Sequence, residues 1–257
     1  MNQTLNISRF WLLLKLYIAE HGRNYLISLM LLLGGMFLLM IPILGTKAYK
    51  DMLYILHVMA LFGLMLGSSM FTSTAFNAYN NSSQGIPAIM LPASQIEKFL
   101  LILLYNLLFV LTAVLVFYGL HIGIIELANQ NIPEGFRKYS LIPSNVGWFF
   151  GTFYFLVQGA VFLGSIYFTK NAYIMTLGIF TGVLVIAYLF NAFLVYQFTG
   201  YDHNITVFPF TSWTLFLDKK YTINYPEPID DLIWVFLGLI VFAMWCITYV
   251  RLKEKQI

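Results

Sequence analysis

The chain has 257 residues, of which 60 % are hydrophobic and 10 % charged, with a formal net charge of +3. A soluble domain carries roughly a quarter of its residues as charges, so this composition excludes an exterior that faces only water. The single Cys246 excludes a disulfide framework within the chain and any cysteine-based metal site.

In chain order, residues 1–24 come first. Ile7, Phe10, Trp11, Leu14 and Ile18 recur at i, i+3, i+4, i+7 and i+11, one face of a helix, with Arg9 and Glu20 on the other side. An interfacial helix lying along a membrane is expected here. The apolar stretch from Tyr25 to Leu44 exceeds the roughly 7–15 residues of a cleavable signal's apolar region, so it is expected to stay in place as a first span.

A span needs about 20 apolar residues, because the hydrocarbon core is roughly 30 Å thick. No Asp, Glu, Lys or Arg falls between Arg23 and Lys47, Asp51 and Glu97, or Lys98 and Glu126. The same holds from Lys138 to Lys170, Lys170 to Asp202, and Asp231 to Arg251. These windows predict six membrane helices near residues 25–45, 52–72, 98–120, 146–168, 172–197 and 231–250, a transmembrane domain over 25–257. The expected fold class is therefore all-α and membrane-embedded.

The second window is too long for one span. Its latter half carries Asn77, Asn80, Asn81, Ser82, Ser83 and Gln84, then Pro87 and Pro92 around an apolar Ile89-Met90-Leu91. Irregular backbone is not tolerated against lipid, so residues 73–97 are expected to form a loop outside the bilayer. Ser94-Gln95-Ile96-Glu97 matches a capping box and predicts the start of the next helix. Residues 121–145 and 198–230, with prolines and mixed charges, are expected as loops on the opposite side. A tight turn is expected over 169–172.

With both termini inside, the inner side holds eight basic residues: Arg9, Lys15, Arg23, Lys98, Lys170, Arg251, Lys253 and Lys255. The outer side holds six: Lys47, Lys50, Arg137, Lys138, Lys219 and Lys220. The inner eight cluster near span ends, where the positive-inside rule applies, and cytoplasmic termini are expected. Trp148, Trp213, Trp234 and Trp245 fit interfacial aromatic belts.

No P-loop, no H-E-x-x-H and no G-x-S-x-G occurs, which removes the commonest nucleotide, zinc and serine-hydrolase readings. No catalytic or metal-ligating residue is expected. The span interiors hold no carboxylate, Lys or Arg, and His57 reads as a packing histidine rather than a proton relay. Asn106, Gln158, Asn191 and Gln197 are the neutral polar residues of the spans. They read either as interhelical hydrogen-bonding groups or as residues lining a pathway. Gly63 with Gly67 and Gly178 with Gly182 are both G-x-x-x-G pairs, a motif that permits close helix approach.

Together these features resemble the membrane subunits of ATP-binding-cassette transporters of the type-2 permease, or exporter, class. The residues that carry the resemblance are Leu91-Pro92-Ala93-Ser94-Gln95-Ile96-Glu97-Lys98-Phe99-Leu100, after the second span, and the short basic tail Tyr249 to Ile257. The resemblance implies a dimer-forming permease with six spans preceded by an interfacial helix. It implies no nucleotide site in this chain, with ATP and Mg held by a separate ATPase subunit present in two copies. It implies a coupling helix within Gln84 to Glu97, where Gln84, Ile86, Pro87, Ile89, Met90, Leu91, Pro92, Ser94, Glu97 and Lys98 would contact the ATPase. The other partners implied are a second permease copy or a sister permease and membrane lipids, with no nucleic acid. The location implied is a bacterial inner membrane, and the substrate an amphipathic lipid, peptide or drug-like molecule. The alternatives are a secondary carrier or channel, which would need an ionisable or broken-helix site, and a membrane-embedded enzyme or assembly factor.

Overall fold

A computed structural model describes residues 5–80, 93–200, 205–206, 213–216, 220–223 and 227–255. The helices are α1 (Ile7–Met40), α2 (Asp51–Thr72), the short α3 (Asn77–Asn80), α4 (Gln95–Gln130), α5 (Ser144–Tyr167), α6 (Ala172–Thr199) and α7 (Glu227–Lys255). A 3-10 turn, Ile41–Gly45, ends α1 at Pro42. All but α3 are long and apolar enough to cross a membrane, which makes six candidate spans.

Two of them overrun the bilayer. At 1.5 Å per residue, the 34 residues of α1 and the 36 of α4 reach about 51 and 54 Å, against a hydrocarbon core of roughly 30 Å. They run side by side in the same direction. Arg9 meets Glu97 near one end, Tyr25 meets Thr112 in the middle, and Leu44 meets Asn131 at the other. The extra turns of α1 lie at its start. The separate interfacial helix expected over residues 1–24 is not seen as its own element, because α1 continues unbroken from Ile7 into the first span. Asn6 opens it, its side chain accepting the Ser8 and Arg9 amides at 3.0 and 3.2 Å. Of the apolar face read there, Leu14 packs inward, while Ile7, Trp11 and Ile18 are exposed.

The connection expected over 121–145 is shorter than the sequence reading has it. The polar residues after 120 do not break α4, whose apolar face continues through Ile124, Ile125 and Ala128 to a cap at Asn131. The connector is residues 131–143. The α5–α6 turn is tight, and Asn171 takes a left-handed φ of 51° there, a conformation Asn tolerates better than most residues. The stretch expected as a plain loop over 198–230 contains three short strands, β1 (Ile205–Thr206), β2 (Trp213–Phe216) and β3 (Lys220–Ile223), paired antiparallel in that order. Trp213 pairs with Ile223 and Thr214 with Thr222, aromatic and β-branched residues of the kind that favour strands.

Leu14, Phe76, Phe99, Phe162, Ile166 and Leu252 form one apolar cluster. The starts of α1 and α4 and the ends of α5 and α7 therefore share one end of the bundle, the proximal end, which carries both termini. The opposite, distal end is packed by Met36, Met40, Ile43, Phe117, Ile124 and Ile125. Burial separates centre from periphery, since 56 % of the α5 window is buried against 6 % of the α6 window. α6 packs chiefly on α5, across Gly164, where a Cβ would fall on the Thr176 side chain. Gly67 is similarly close to Leu32, while Gly63, Gly178 and Gly182 face open space. Of the four motif glycines, one serves a close approach inside this chain.

Substituting Gly164→Leu is expected to push α6 off α5 and lower the thermal midpoint in detergent, at an overpacking cost of about 1–3 kcal/mol. The same change at Gly178 is expected to leave the midpoint in place. Equal midpoints for the two variants would contradict the assigned crossing.

Candidate functional site

The helices α1, α2, α3 and α4 line a cleft of about 760 Å³ in the proximal half of the bundle. α1 contributes Tyr17, His21, Asn24 and Ser28, and α4 contributes Tyr105 and Asn106, with the end of α2 closing the third side. Its wall is aromatic. Tyr17 stacks on His21 at 4.2 Å and meets Tyr105 edge-on at 4.8 Å. Tyr105 donates its hydroxyl to the His21 carbonyl at 3.1 Å, which locks α4 onto α1. Among the described residues, no Asp, Glu, Lys or Arg lines the cleft. The surface offered is aromatic faces interrupted by neutral hydrogen-bonding groups, which suits a largely apolar guest with a few polar atoms.

Behind Asn106 lies a buried polar network. Thr72 on α2 bonds Asn106 of α4 at 2.9 Å and also bonds Gln158 of α5. Gln158 donates through Nε2 to Ser68 Oγ at 2.9 Å, and Tyr154 donates to the same oxygen at 2.6 Å. Ser68 in turn donates to the Leu64 carbonyl at 2.6 Å. The network joins α2, α4 and α5 in a region where lipid offers no competing partner. It brings together two of the four neutral residues singled out in the spans, Asn106 and Gln158. The other two stand apart on α6, Asn191 half-buried and Gln197 exposed. Sequence reading missed Ser68, Thr72 and Tyr154. The available signal was spacing, because Ser68 with Thr72 and Tyr154 with Gln158 are each four apart and share a helix face.

At the proximal end, the segment expected to couple to a partner is held at both of its margins. Gln84, Ile86, Pro87, Ile89, Met90, Leu91 and Pro92 lie outside the described residues. Ser94 and Glu97 form the predicted capping box at the start of α4, with the Ser94 amide donating to Glu97 at 2.8 Å and the Glu97 amide to Ser94 at 3.3 Å. Glu97 is completely buried and also accepts from the Asn6 amide at 2.7 Å and from Arg9 Nε and Nη2 at 2.8 and 2.7 Å. A buried carboxylate needs such saturation to stay charged. Lys98, next in the chain, is buried as well. At the other margin, Asn80 donates to the Ser165 and Phe168 carbonyls at 2.8 and 3.4 Å and accepts from Lys255 Nζ. Beside it, burial pushes the Tyr79 phenol up to about 12, so it stays protonated. Residues 81–92 thus leave from a node shared by α3, α5 and α7 and return at a node shared by α4 and α1.

The six long apolar helices define a multi-pass helical membrane protein. No family model, no curated protein and no solved structure matches the chain.

Thr72→Val keeps the side-chain shape and removes the hub of the network. It is expected to cost about 1 kcal/mol, the scale of a hydrogen bond between membrane helices, read as a lowered thermal midpoint, with Asn191→Ala unchanged as the comparison. For Glu97, exchanging the charges (Arg9→Glu with Glu97→Arg) is expected not to restore slow hydrogen exchange at residues 5–12. Two of the four donors to Glu97 are backbone amides, which an arginine cannot accept from. Full recovery in the exchanged pair would reduce the node to a simple ion pair.

Proposed function

We propose that this chain is the membrane subunit of an ATP-driven transporter of the ABC exporter permease type. In this reading its ATPase is a separate chain present in two copies, and its pathway is completed by a second permease copy or a sister permease. The observation that carries the reading is the double anchoring of residues 81–92. A segment that carries an apolar Ile89-Met90-Leu91 among neutral polar residues is tied at Asn80 to α5 and α7, and at Ser94 and Glu97 to α1 and α4. A force applied to it by a docked ATPase would reach four spans through hydrogen bonds rather than dissipate in a slack loop. An apolar run in a segment expected outside the bilayer would call for a covering partner.

The chain's own interior supports the same division of labour. Among the described residues no carboxylate, Lys or Arg sits in the cleft or the network behind it, and an ion-coupled carrier needs such a group or a broken helix near the midplane. Work against a gradient then comes from ATP and Mg in the partner. The cleft between α1, α2 and α4 would take an amphipathic substrate (a lipid, a peptide or a drug-like molecule) and change its access as α1 and α4 move relative to α2. Orientation follows the basic residues, with the proximal end and both termini in the cytoplasm of a bacterial inner membrane. Sparse burial of α6 leaves apolar surface for lipid and for a second subunit.

Purification of the tagged chain from its own membranes in mild detergent tests the reading. A co-purifying chain with vanadate-sensitive ATPase activity is expected, and Met90→Asp with Leu91→Asp is expected to release it while the permease stays in the membrane. Wild-type protein without ATPase activity, or a variant that retains it, would overturn the assignment.

A further inference from the structure

We propose that His57 and His121 form a proton-operated latch that holds the distal connector, residues 131–143, against the bundle and releases it in acid. The two rings come from α2 and α4, are buried to 0 % and 1 % exposure, and approach at Nδ1 to Nδ1 in 2.9 Å. The Ile142 amide of the connector points at His121 Nε2 at 3.2 Å.

These contacts fix where the protons are. A backbone amide only donates, so His121 Nε2 carries no hydrogen. A neutral imidazole has one N–H, so His121 bears it on Nδ1 and donates it to His57 Nδ1. His57 must then carry its own hydrogen on Nε2. That nitrogen is buried and makes no hydrogen bond of good geometry among the described residues, the Met40 backbone at the end of α1 being the polar group that bears on it, and the nearby Tyr54 hydroxyl is likewise unpartnered there. Such orphans are uncommon in native interiors.

The pair is therefore full. Its two basic nitrogens, His121 Nε2 and His57 Nδ1, already accept a hydrogen bond each. A proton added to His121 Nε2 faces the Ile142 N–H and expels it. A proton added to His57 Nδ1 faces the His121 N–H. That clash is relieved when His121 moves its own hydrogen to Nε2, which again expels Ile142, or when α2 and α4 separate.

Nothing around the rings compensates a positive charge. Tyr54 on α2 lies 6.4 Å from His57, centroid to centroid, and Tyr139 of the connector lies 6.4 Å from Tyr54. The end of α1 brings only uncharged groups, Met40 among them. Farther out, the connector carries Glu134, Arg137 and Lys138, the segment after the 3-10 turn carries Lys47 and Lys50, α2 opens on Asp51, and α4 carries Glu126, all exposed and of both signs. Among the described residues neither imidazole pairs with a carboxylate. The neutral pair thus supports the latch at high pH. That support is lost in acid, because groups buried neutral must charge.

What opens is local. The connector is also held at Asn131 by the Leu44 carbonyl (3.5 Å), at Arg137 over the Tyr49 ring, and at Tyr139 by two bonds with Asn129 (2.9 and 2.8 Å) and by Thr46 and the Lys50 amide at its hydroxyl (3.2 and 3.1 Å). Ile142 is its last hold before Pro143 and the start of α5. Acid therefore frees the entry of α5, the helix that carries Tyr154 and Gln158 into the buried network.

Amide hydrogen exchange on the full-length protein in lipid nanodiscs, at about pH 7.5 and about pH 5 and corrected for the intrinsic rate, tests the latch. Residues 140–145 are expected to lose about tenfold protection in acid, the scale of one lost hydrogen bond, while peptides within α2 stay unchanged. His57→Phe with His121→Phe is expected to exchange equally at both pH values. Equal protection in the wild type, or acid loosening that persists in the double variant, would overturn the proposal. Nitrogen chemical shifts of histidine-labelled protein, with the His57 and His121 signals told apart from those of His21 and His203 by single substitutions, give a second reading. One imidazole protonated at Nδ1 and one at Nε2 is expected at neutral pH, and two Nε2–H rings would refute the assignment.

Discussion

In hydrocarbon a polar group finds its partner inside the protein or has none, and this constraint organises the whole bundle. Backbone groups meet it by helix formation. Polar side chains within the spans meet it by converging. The described residues show three such convergences: the Glu97 node at the proximal end, the Ser68–Thr72–Gln158 network at mid-depth, and the His57–His121 pair at the distal end. Each joins at least two spans, and each lies on α4 or bonds directly to it. The apolar contacts between helices are less selective, since lipid tails satisfy a leucine about as well as another leucine does. Helix positions in this bundle are accordingly fixed by a small number of directional bonds.

The central place of α4 follows. It is the longest helix, it is buried along the length where α6 is exposed, and it runs parallel to α1 through contacts at both ends and the middle. Polar partners are arranged along it at increasing depth: Glu97 with Arg9, Tyr105 with the His21 carbonyl, Asn106 with Thr72, and His121 with His57. A displacement of its first turn is carried by a continuous helix past the cleft toward the distal pair. In the proposed transporter that first turn adjoins the segment on which the ATPase acts. The connection from motor to cleft is then one rigid element rather than a chain of loose contacts.

Hydrophobic run length made the spans legible, because membrane thickness imposes it directly. The Ser94–Glu97 cap was legible too, since a capping box is a local pattern closed within four residues. Helix ends were not. α1 absorbed the expected interfacial helix and α4 ran past residue 120, as a helix outside hydrocarbon needs no charge-free sequence to continue. Ending α4 at 120 placed His121 in a loop and hid its pairing with His57, which looked like an isolated packing residue. The strands near Trp213 and Tyr221 were hidden for a different reason. Two to four residues per strand leave too little alternation to rise above a polar, proline-bearing stretch.

The neutral polar residues show most plainly where sequence reasoning stops. Asn106, Gln158, Asn191 and Gln197 look equivalent in the chain, each an amide inside an apolar run. What separates them is the residue opposite. Asn106 and Gln158 meet Thr72, a hydroxyl that bonds both at once, while Asn191 and Gln197 lie on a helix with one main neighbour. An amide on α6 has two ways to be satisfied: solvent near the membrane surface, or a group supplied by another subunit. The first suits Gln197, one turn from the end of its span. Asn191 lies two turns deeper, on the face of the bundle this chain leaves most open. In the proposed transporter, α6 is where a second subunit would find a polar group to recognise.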